Sequence, residues 1–385
     1  MMKVCLLGAS GSIGRQTIDV MLKNKEDFDL VGFSVGLKTE FISKILKKYP
    51  EVKFICVRRK EDYDLLCKKY PNVNFFYDDD GLIQLVEQCN ATMVVNALVG
   101  FVGLAPTIKT LEMNKICCLA NKESLVVGGE IINNLLRQGK GTLYPIDSEH
   151  VALAKCLAVD NKKVDKIIIT ASGGAFRNLT RRQLTYVTPE DALKHPTWNM
   201  GKKITIDSAT MVNKTFEVIE AHYLFGYSFK NIGIMLNYNS YVHSLVLYKN
   251  GEYRLDCGKP DMRVPIKYAL YQGLTPYNTV VTKDLSSIKN TKFGEFDIKR
   301  YPAVKFARAV IKNKGTYGAV LNAANEVAVN AFLNHQIRFT MIEKIINMMM
   351  KMHQSISHPT YEDIVKVDKL TRETVNYLIE KGGIK

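Results

Sequence analysis

Several absences narrow the field before any motif is read. The eight cysteines contain no Cys-x-x-Cys pair and sit mostly in apolar stretches, which argues against zinc ribbons and disulfide frameworks and for buried thiols in a reducing compartment. The longest apolar runs, such as Ala91 to Leu98, fall far short of the roughly 20 residues that span a bilayer, so no membrane partner is expected. The chain has no low-complexity tract and no repeat, and from Met1 it runs straight into Lys3-Val-Cys-Leu-Leu-Gly8 with no leader pattern. A cytoplasmic location is the expectation. Net charge is +15, yet Lys and Arg are spread along the whole chain without a basic tail, so the excess suits small acidic ligands better than nucleic acid.

What remains is a globular composition, 46% hydrophobic and 24% charged, over 385 residues, enough for two or three domains. The apolar strand Lys3 to Leu7 leads into Gly8-Ala-Ser-Gly11-Ser-Ile-Gly14 and then the helical pattern Thr17, Ile18, Val20, Met21. Gly8 and Gly11 allow a tight turn close to a pyrophosphate, and Gly14 lets helix and strand pack closely, so the helix N-terminus meets the negative charge. The next strand, Leu30 to Val35, ends in Gly36-Leu-Lys38, with no carboxylate for a ribose 2′-hydroxyl. Lys38, with the hydroxyl of Ser34 nearby, favours NADPH over NADH. Further strands at Phe54 to Val57, Met93 to Leu98 and Ile116 to Ala120 alternate with helices and predict a parallel, doubly wound sheet. Asn121-Lys122-Glu123-Ser124 then lies at a strand's carboxyl end, where ligands meet such sheets.

After the strand Thr142 to Ile146 comes Asp147-Ser-Glu149-His150. In extended backbone residues i and i+2 point to one side, so Asp147 and Glu149 can reach one hard cation. A third ligand comes from the predicted helix around Asn213, Glu217 and Glu220, which share a face beside the apolar stripe Val212, Phe216 and Ile219. Three carboxylates without a Cys/His cluster suit Mg²⁺ or Mn²⁺, whereas the same helix standing alone could simply expose its acids to water. Ser172-Gly-Gly174 is a glycine turn with a hydroxyl, and with Ser208, Asn213 and Lys214 it can form a second anion site, though an ordinary turn would look similar. His195-Pro-Thr-Trp198-Asn-Met200-Gly201 puts the only Trp in a Pro/Gly-bounded loop suited to a lid.

With these residues in place, the chain resembles the 1-deoxy-D-xylulose 5-phosphate reductoisomerase family over nearly its full length. The likeness rests on Gly8 to Gly14, Leu119 to Leu125, Pro145 to His150, Ser172 to Arg177, His195 to Gly201, Asp207 to Glu217, Pro260 to Arg263 and Leu321 to Glu326. The resemblance implies NADPH contacts at Ser10, Gly11, Ser12, Ile13, Gly36, Leu37, Lys38, Asn121, Glu123 and Gly201. It implies Mg²⁺ or Mn²⁺ on Asp147, Glu149 and Glu217, and substrate oxygens held by Lys122, Ser148 and Glu149. Ser172, His195, Ser208, Asn213 and Lys214 would bind the substrate largely through its phosphate, with Trp198 in a flap from His195 to Met200. Lys122, Asp147, Glu149 and Glu217 would be catalytic, with Lys122 and Glu149 handling protons. Where family members carry Arg or Lys then Asn after the glycine matching Gly36, this chain has Leu37-Lys38.

The reaction implied is rearrangement and NADPH-dependent reduction of 1-deoxy-D-xylulose 5-phosphate to 2-C-methyl-D-erythritol 4-phosphate, in the non-mevalonate route to isoprenoids. The implied architecture is α/β: an N-terminal Rossmann-like NADP-binding domain (1–146), a central α+β catalytic domain (147–271), a linker (272–299) and a C-terminal helical bundle (300–385), in a homodimer. Helical spacing in Ala303 to Lys312, Val320 to Leu333 and Ile342 to Met352 supports the last region independently. Two rivals are another NADP-dependent reductase of a phosphorylated small molecule and an inactive NADP-binding regulator. The first lacks a reactive Cys in a suitable setting, and the second predicts a broken carboxylate triad.

Overall fold

The computed structural model describes residues 1–158, 162–198, 200–274 and 291–382. The chain divides into two compact units. The first takes Met1–Ser124, Ile131–Asp147 and the segment starting at Asp261, and the second takes Leu125–Glu130 and the described residues of Ser148–Pro260 and from Thr291 onward. Most of the expected linker, residues 275–290, lies outside the described residues.

The first unit is a seven-stranded sheet of β1 (Met2–Leu7), β2 (Phe28–Ser34), β3 (Phe54–Val57), β4 (Asn74–Tyr77), β5 (Met93–Asn96), β6 (Ile116–Leu119) and β7 (Thr142–Pro145). All neighbours pair in parallel in the order β4-β3-β2-β1-β5-β6-β7. Burial follows the two-residue period of a strand: Val4 and Leu6 enter one core cluster, Cys5 and Leu7 the other. Both faces are therefore covered, as a parallel sheet requires. Strand order reverses between β1 and β5, so a crevice is expected beyond their carboxyl ends, beside the glycine turn. The doubly wound expectation holds, and β4, not singled out by pattern, extends the sheet.

The second unit contains a mixed sheet of β8 (Val164–Ala171), β9 (Ile232–Asn237), β10 (Val242–Tyr248), β11 (Tyr253–Cys257) and β12 (Phe293–Glu295), ordered β11-β10-β8-β9-β12. Ile167 and Ile169 of β8 share one core with Val212, Phe216 and Ile219 and with Val320, Leu321 and Ile342 of the later helices. The C-terminal helices Tyr317–Leu333, Phe339–Met352 and Tyr361–Glu380 are thus continuous in packing with this sheet. Six of the eight cysteines are buried and none is in a disulfide. Among the described residues no helix is long and apolar enough to cross a membrane.

Candidate active site

The glycine turn of the first unit is built by exclusion of side chains. A Cβ on Gly14 would stand 2.2 Å from the Gly8 carbonyl oxygen, so only glycine lets the helix Ser12–Lys23 start this close to the turn. The Ser34 hydroxyl, expected near a 2′-phosphate, is instead buried and accepts the Gly8 N–H at 2.9 Å. It holds the turn in shape. Gly36, Leu37 and Lys38 are exposed just beyond β2, and Ser10, Ser12 and Ile13 lie in the turn and the helix start.

At the end of β6, Asn121 caps the helix Lys122–Arg137. Its Oδ1 accepts from Ser124 N at 2.9 Å, and its Nδ2 donates to the Leu98 and Gly100 carbonyls and to Glu123. That side chain is engaged within the protein, where it shapes the loop and holds the buried Glu123. Lys122 forms an ion pair with Asp147, each side chain only 11% exposed. Asp147 was expected on extended backbone. It instead directly precedes the helix Ser148–Leu157, so Glu149 sits in a first helical turn and the strand rule for i and i+2 does not apply.

The second unit gathers most of the other residues. Lys214, 4% exposed, contacts Glu217 and the Thr170 carbonyl and lies 3.3 Å from Glu149. Burial alone would lower its pKa, but Glu149 and Glu217 outweigh burial and hold it above the usual lysine value. Glu149 and Glu217 present oxygens within 4.8 Å of each other. Asn213 Nδ2 donates to Glu217 Oε1 at 2.6 Å, and the Ser148 hydroxyl donates to Glu149 Oε2 at 2.6 Å. Glu217 and Glu220 are 1% and 3% exposed, so the solvated amphipathic-helix alternative is excluded.

A second cluster adjoins the first through β8, since Ser172 follows Thr170 by two residues. His195 Nε2 stands 3.2 Å from both Ser172 Oγ and Ser208 Oγ. Its Nδ1 accepts the main-chain N–H groups of Thr197 and Trp198, which assigns the proton to Nε2. Burial first, and Arg177 second, lower the His195 pKa to about 4, so the ring is a neutral donor near pH 7. Gly174 has a positive φ, and a Cβ there would stand 2.6 Å from the Ser208 carbonyl oxygen, which explains how the turn approaches the helix Lys202–Thr210. Two hydroxyls, a neutral N–H donor and a tight turn are groups that can accept an anion together, and the Lys214 ammonium is bonded to the Thr170 carbonyl, two residues before Ser172.

Some contributors were not visible as such in the sequence. His150, fully buried, places Nε2 2.9 Å from the Glu217 carbonyl oxygen, and Ser244 Oγ donates to the Glu149 carbonyl, so both fix the glutamate backbones. Arg177 donates to the Ser172 and Tyr238 carbonyls. Their partners lie between 5 and 95 residues away, and no local pattern announces the longer ones. Trp198 is half-buried and tied through its main chain to His195; Asn199 of the expected flap lies outside the described residues. Gly201 caps the helix Lys202–Thr210 in the second unit and has open space where a Cβ would stand.

Three family models match the chain: 1-deoxy-D-xylulose 5-phosphate reductoisomerase over residues 4–129, the C-terminal domain of the same enzyme over 143–225, and the DXP reductoisomerase C-terminal domain over 257–374. A 1-deoxy-D-xylulose 5-phosphate reductoisomerase 2 of Bacillus thuringiensis subsp. konkukian is 43% identical over 378 residues, covering 97% of this chain and 99% of that protein. The Listeria innocua reductoisomerase is 42% identical over 383 residues, covering 98% and 100%. Among solved structures, the Zymomonas mobilis reductoisomerase in complex with NADPH superposes with a TM-score of 0.89 at 33% identity, covering 98% of this chain and 99% of that one. A DOX-P reductoisomerase in complex with NADPH, fosmidomycin and magnesium gives 0.91 at 31% identity, covering 99% and 98%. The chain belongs to the 1-deoxy-D-xylulose 5-phosphate reductoisomerase family.

Proposed function

We propose that this member of the reductoisomerase family converts 1-deoxy-D-xylulose 5-phosphate to 2-C-methyl-D-erythritol 4-phosphate with NADPH and a divalent cation. The observation that carries the reading is the Glu149–Lys214–Glu217 cluster, built on the buried Lys214 and Glu217, beside the hydroxyl and imidazole groups of Ser172, Ser208 and His195, in a chain matched over 97% of its length by a relative of that name. The solved relatives bound to NADPH and to magnesium support the choice of cofactors.

Asp147, Glu149 and Glu217 would hold the cation. Carboxylate oxygen donors, that of Glu217 buried and the other two partly so, with no thiol or imidazole among them, fit Mg²⁺ or Mn²⁺, and Glu149 and Glu217 present oxygens within 4.8 Å of each other. When bound, the cation would supply Lewis acidity to the substrate's carbonyl and hydroxyl oxygens, and the dinucleotide would supply hydride. Ser10, Gly11, Ser12 and Ile13 would hold the pyrophosphate, with Gly36, Leu37, Lys38, Asn121, Glu123 and Gly201 completing the cofactor site. Ser172, His195 Nε2–H, Ser208, Asn213 and Lys214 would hold the phosphate and orient the sugar. Lys122 and Glu149 would move protons at the reacting oxygens, with Ser148 holding an adjacent hydroxyl. Trp198 would cover the carbon chain and exclude water as its loop closes.

A cofactor domain of 1–146, a catalytic domain of 147–271, a linker of 272–299 and a helical domain of 300–385 belong to this proposal, as do a homodimer and a cytoplasmic location. The test adds 1-deoxy-D-xylulose 5-phosphate to the purified chain and follows NADPH oxidation with and without Mg²⁺. Metal-dependent oxidation is expected; its absence overturns the proposal.

A further inference from the structure

Within the first unit, a cavity of about 380 Å³ opens between the helices Ser12–Lys23 and Glu40–Leu46. Its wall includes Ser12 of the glycine turn, Phe41, and three cations, Arg15, Lys44 and Lys48. The Arg15 guanidinium lies 5.8 Å from the Phe41 ring centroid and Lys44 Nζ lies 5.0 Å from the same centroid. Arg15 Nε also reaches back to the Gly11 carbonyl oxygen at 3.4 Å. Asp19, the one carboxylate in the wall, has Arg263 3.8 Å away. Among the described residues no carboxylate pairs with Arg15, Lys44 or Lys48.

Cations brought to one aromatic ring repel each other and are stabilised by an anion between them. One wall of the cavity starts at the glycine turn proposed to hold the pyrophosphate, and on the other Phe41 donates its main-chain N–H to the Lys38 carbonyl at 3.2 Å, which ties the cavity to the segment after β2. There the segment Gly36 to Lys38 has no carboxylate for a 2′-hydroxyl, only one cation, and a Leu37 that is 63% exposed. We infer that this cavity seats the 2′-phosphate of the dinucleotide, and that Arg15 and Lys44, alongside Lys38, are the residues that select the phosphorylated cofactor. Arg15 supplies the planar fork that matches phosphate oxygens, and Lys44 adds a point charge. Phe41 keeps both in place. The inference rests on the proposed NADPH-linked reading and names its specificity residues.

The experiment measures dissociation constants of NADPH, NADH and adenosine 2′,5′-bisphosphate for the unaltered chain and for Arg15→Gln, Lys44→Gln, Lys38→Gln and the Arg15/Lys44 double variant. Loss of a charge-assisted hydrogen bond should weaken NADPH and the bisphosphate at least about tenfold in Arg15→Gln, and further in the double variant. NADH affinity should stay unchanged, which also shows that the variants are folded. Equal NADPH-to-NADH ratios in the unaltered chain and the double variant would overturn the inference, with a change in Lys38→Gln alone assigning the phosphate to the β2 loop. Failure of the unaltered chain to bind any of the three ligands would instead overturn the underlying reading.

Discussion

Glu217→Gln tests the metal assignment most directly. Glutamine keeps the size and shape of a side chain that is 1% exposed, and it removes one charge. Lys214 then loses one of its two carboxylate partners and keeps Glu149 at 3.3 Å. Stripping a buried ion pair completely costs about 3–5 kcal/mol. With one partner retained, the loss of a single charge-assisted hydrogen bond is the better guide, about 1.5–3 kcal/mol. The protein should therefore fold with a lowered melting temperature. On this assignment the metal would lose one of three anionic ligands. Disturbing only the groups that orient a ligand weakens metal binding about 10–100-fold, so removing the ligand itself should exceed about 100-fold. The assay is the initial rate of NADPH oxidation against Mg²⁺ concentration, with NADPH binding measured in parallel by fluorescence. Turnover should collapse or need far more Mg²⁺, while NADPH affinity is unchanged, because the glycine turn belongs to the other sheet. An unaltered Mg²⁺ requirement would refute the assignment, as would NADPH binding lost in proportion to turnover.

Gly14→Ala places a Cβ 2.2 Å from the Gly8 carbonyl oxygen and should cost about 1–3 kcal/mol or more by overpacking. NADPH binding should weaken with it, and a variant with unchanged melting temperature and affinity would contradict the close-packing argument. His195 should titrate near pH 4 in the ligand-free protein, followed by the NMR shifts of its ring. The unfolded chain takes up that proton near pH 6.5, so acidification through this window favours unfolding; a midpoint near 6.5 in the folded protein would show that burial does not govern the ring. Asn325→Leu removes the donor to Asp207 Oδ1 at 2.8 Å inside the core, next to Ser208. It should lower stability by about 1.5–3 kcal/mol, read by chemical denaturation, and an unchanged midpoint would mean that the bond is dispensable.

Much of the first unit was legible because its signals are local. A strand, a glycine turn and a helix over about 20 residues announce themselves by period and by residue type, and β1, β3 and the helix from Ser12 lie where the pattern puts them. The shared face of Asn213, Glu217 and Glu220 was equally readable, since helical spacing alone brings i and i+4 together, and Asn213 does donate to Glu217. Tertiary structure decided the rest. Whether those acids face water or the core depends on β8 and the C-terminal helices, up to more than 100 residues away, and only their packing makes Glu217 a buried carboxylate. The neutrality of His195 follows from burial and from Arg177, and the grip of His150 on the Glu217 backbone spans 67 residues. Ser34 shows the limit of adjacency in sequence, because a bond to Gly8, 26 residues back, turns a hydroxyl expected to face a ligand into a support for the turn. Residue types and short spacings therefore determined which chemistry this chain can hold. Which groups are desolvated, paired and aimed at one another was decided by contacts between segments distant in the chain, which no local pattern encodes.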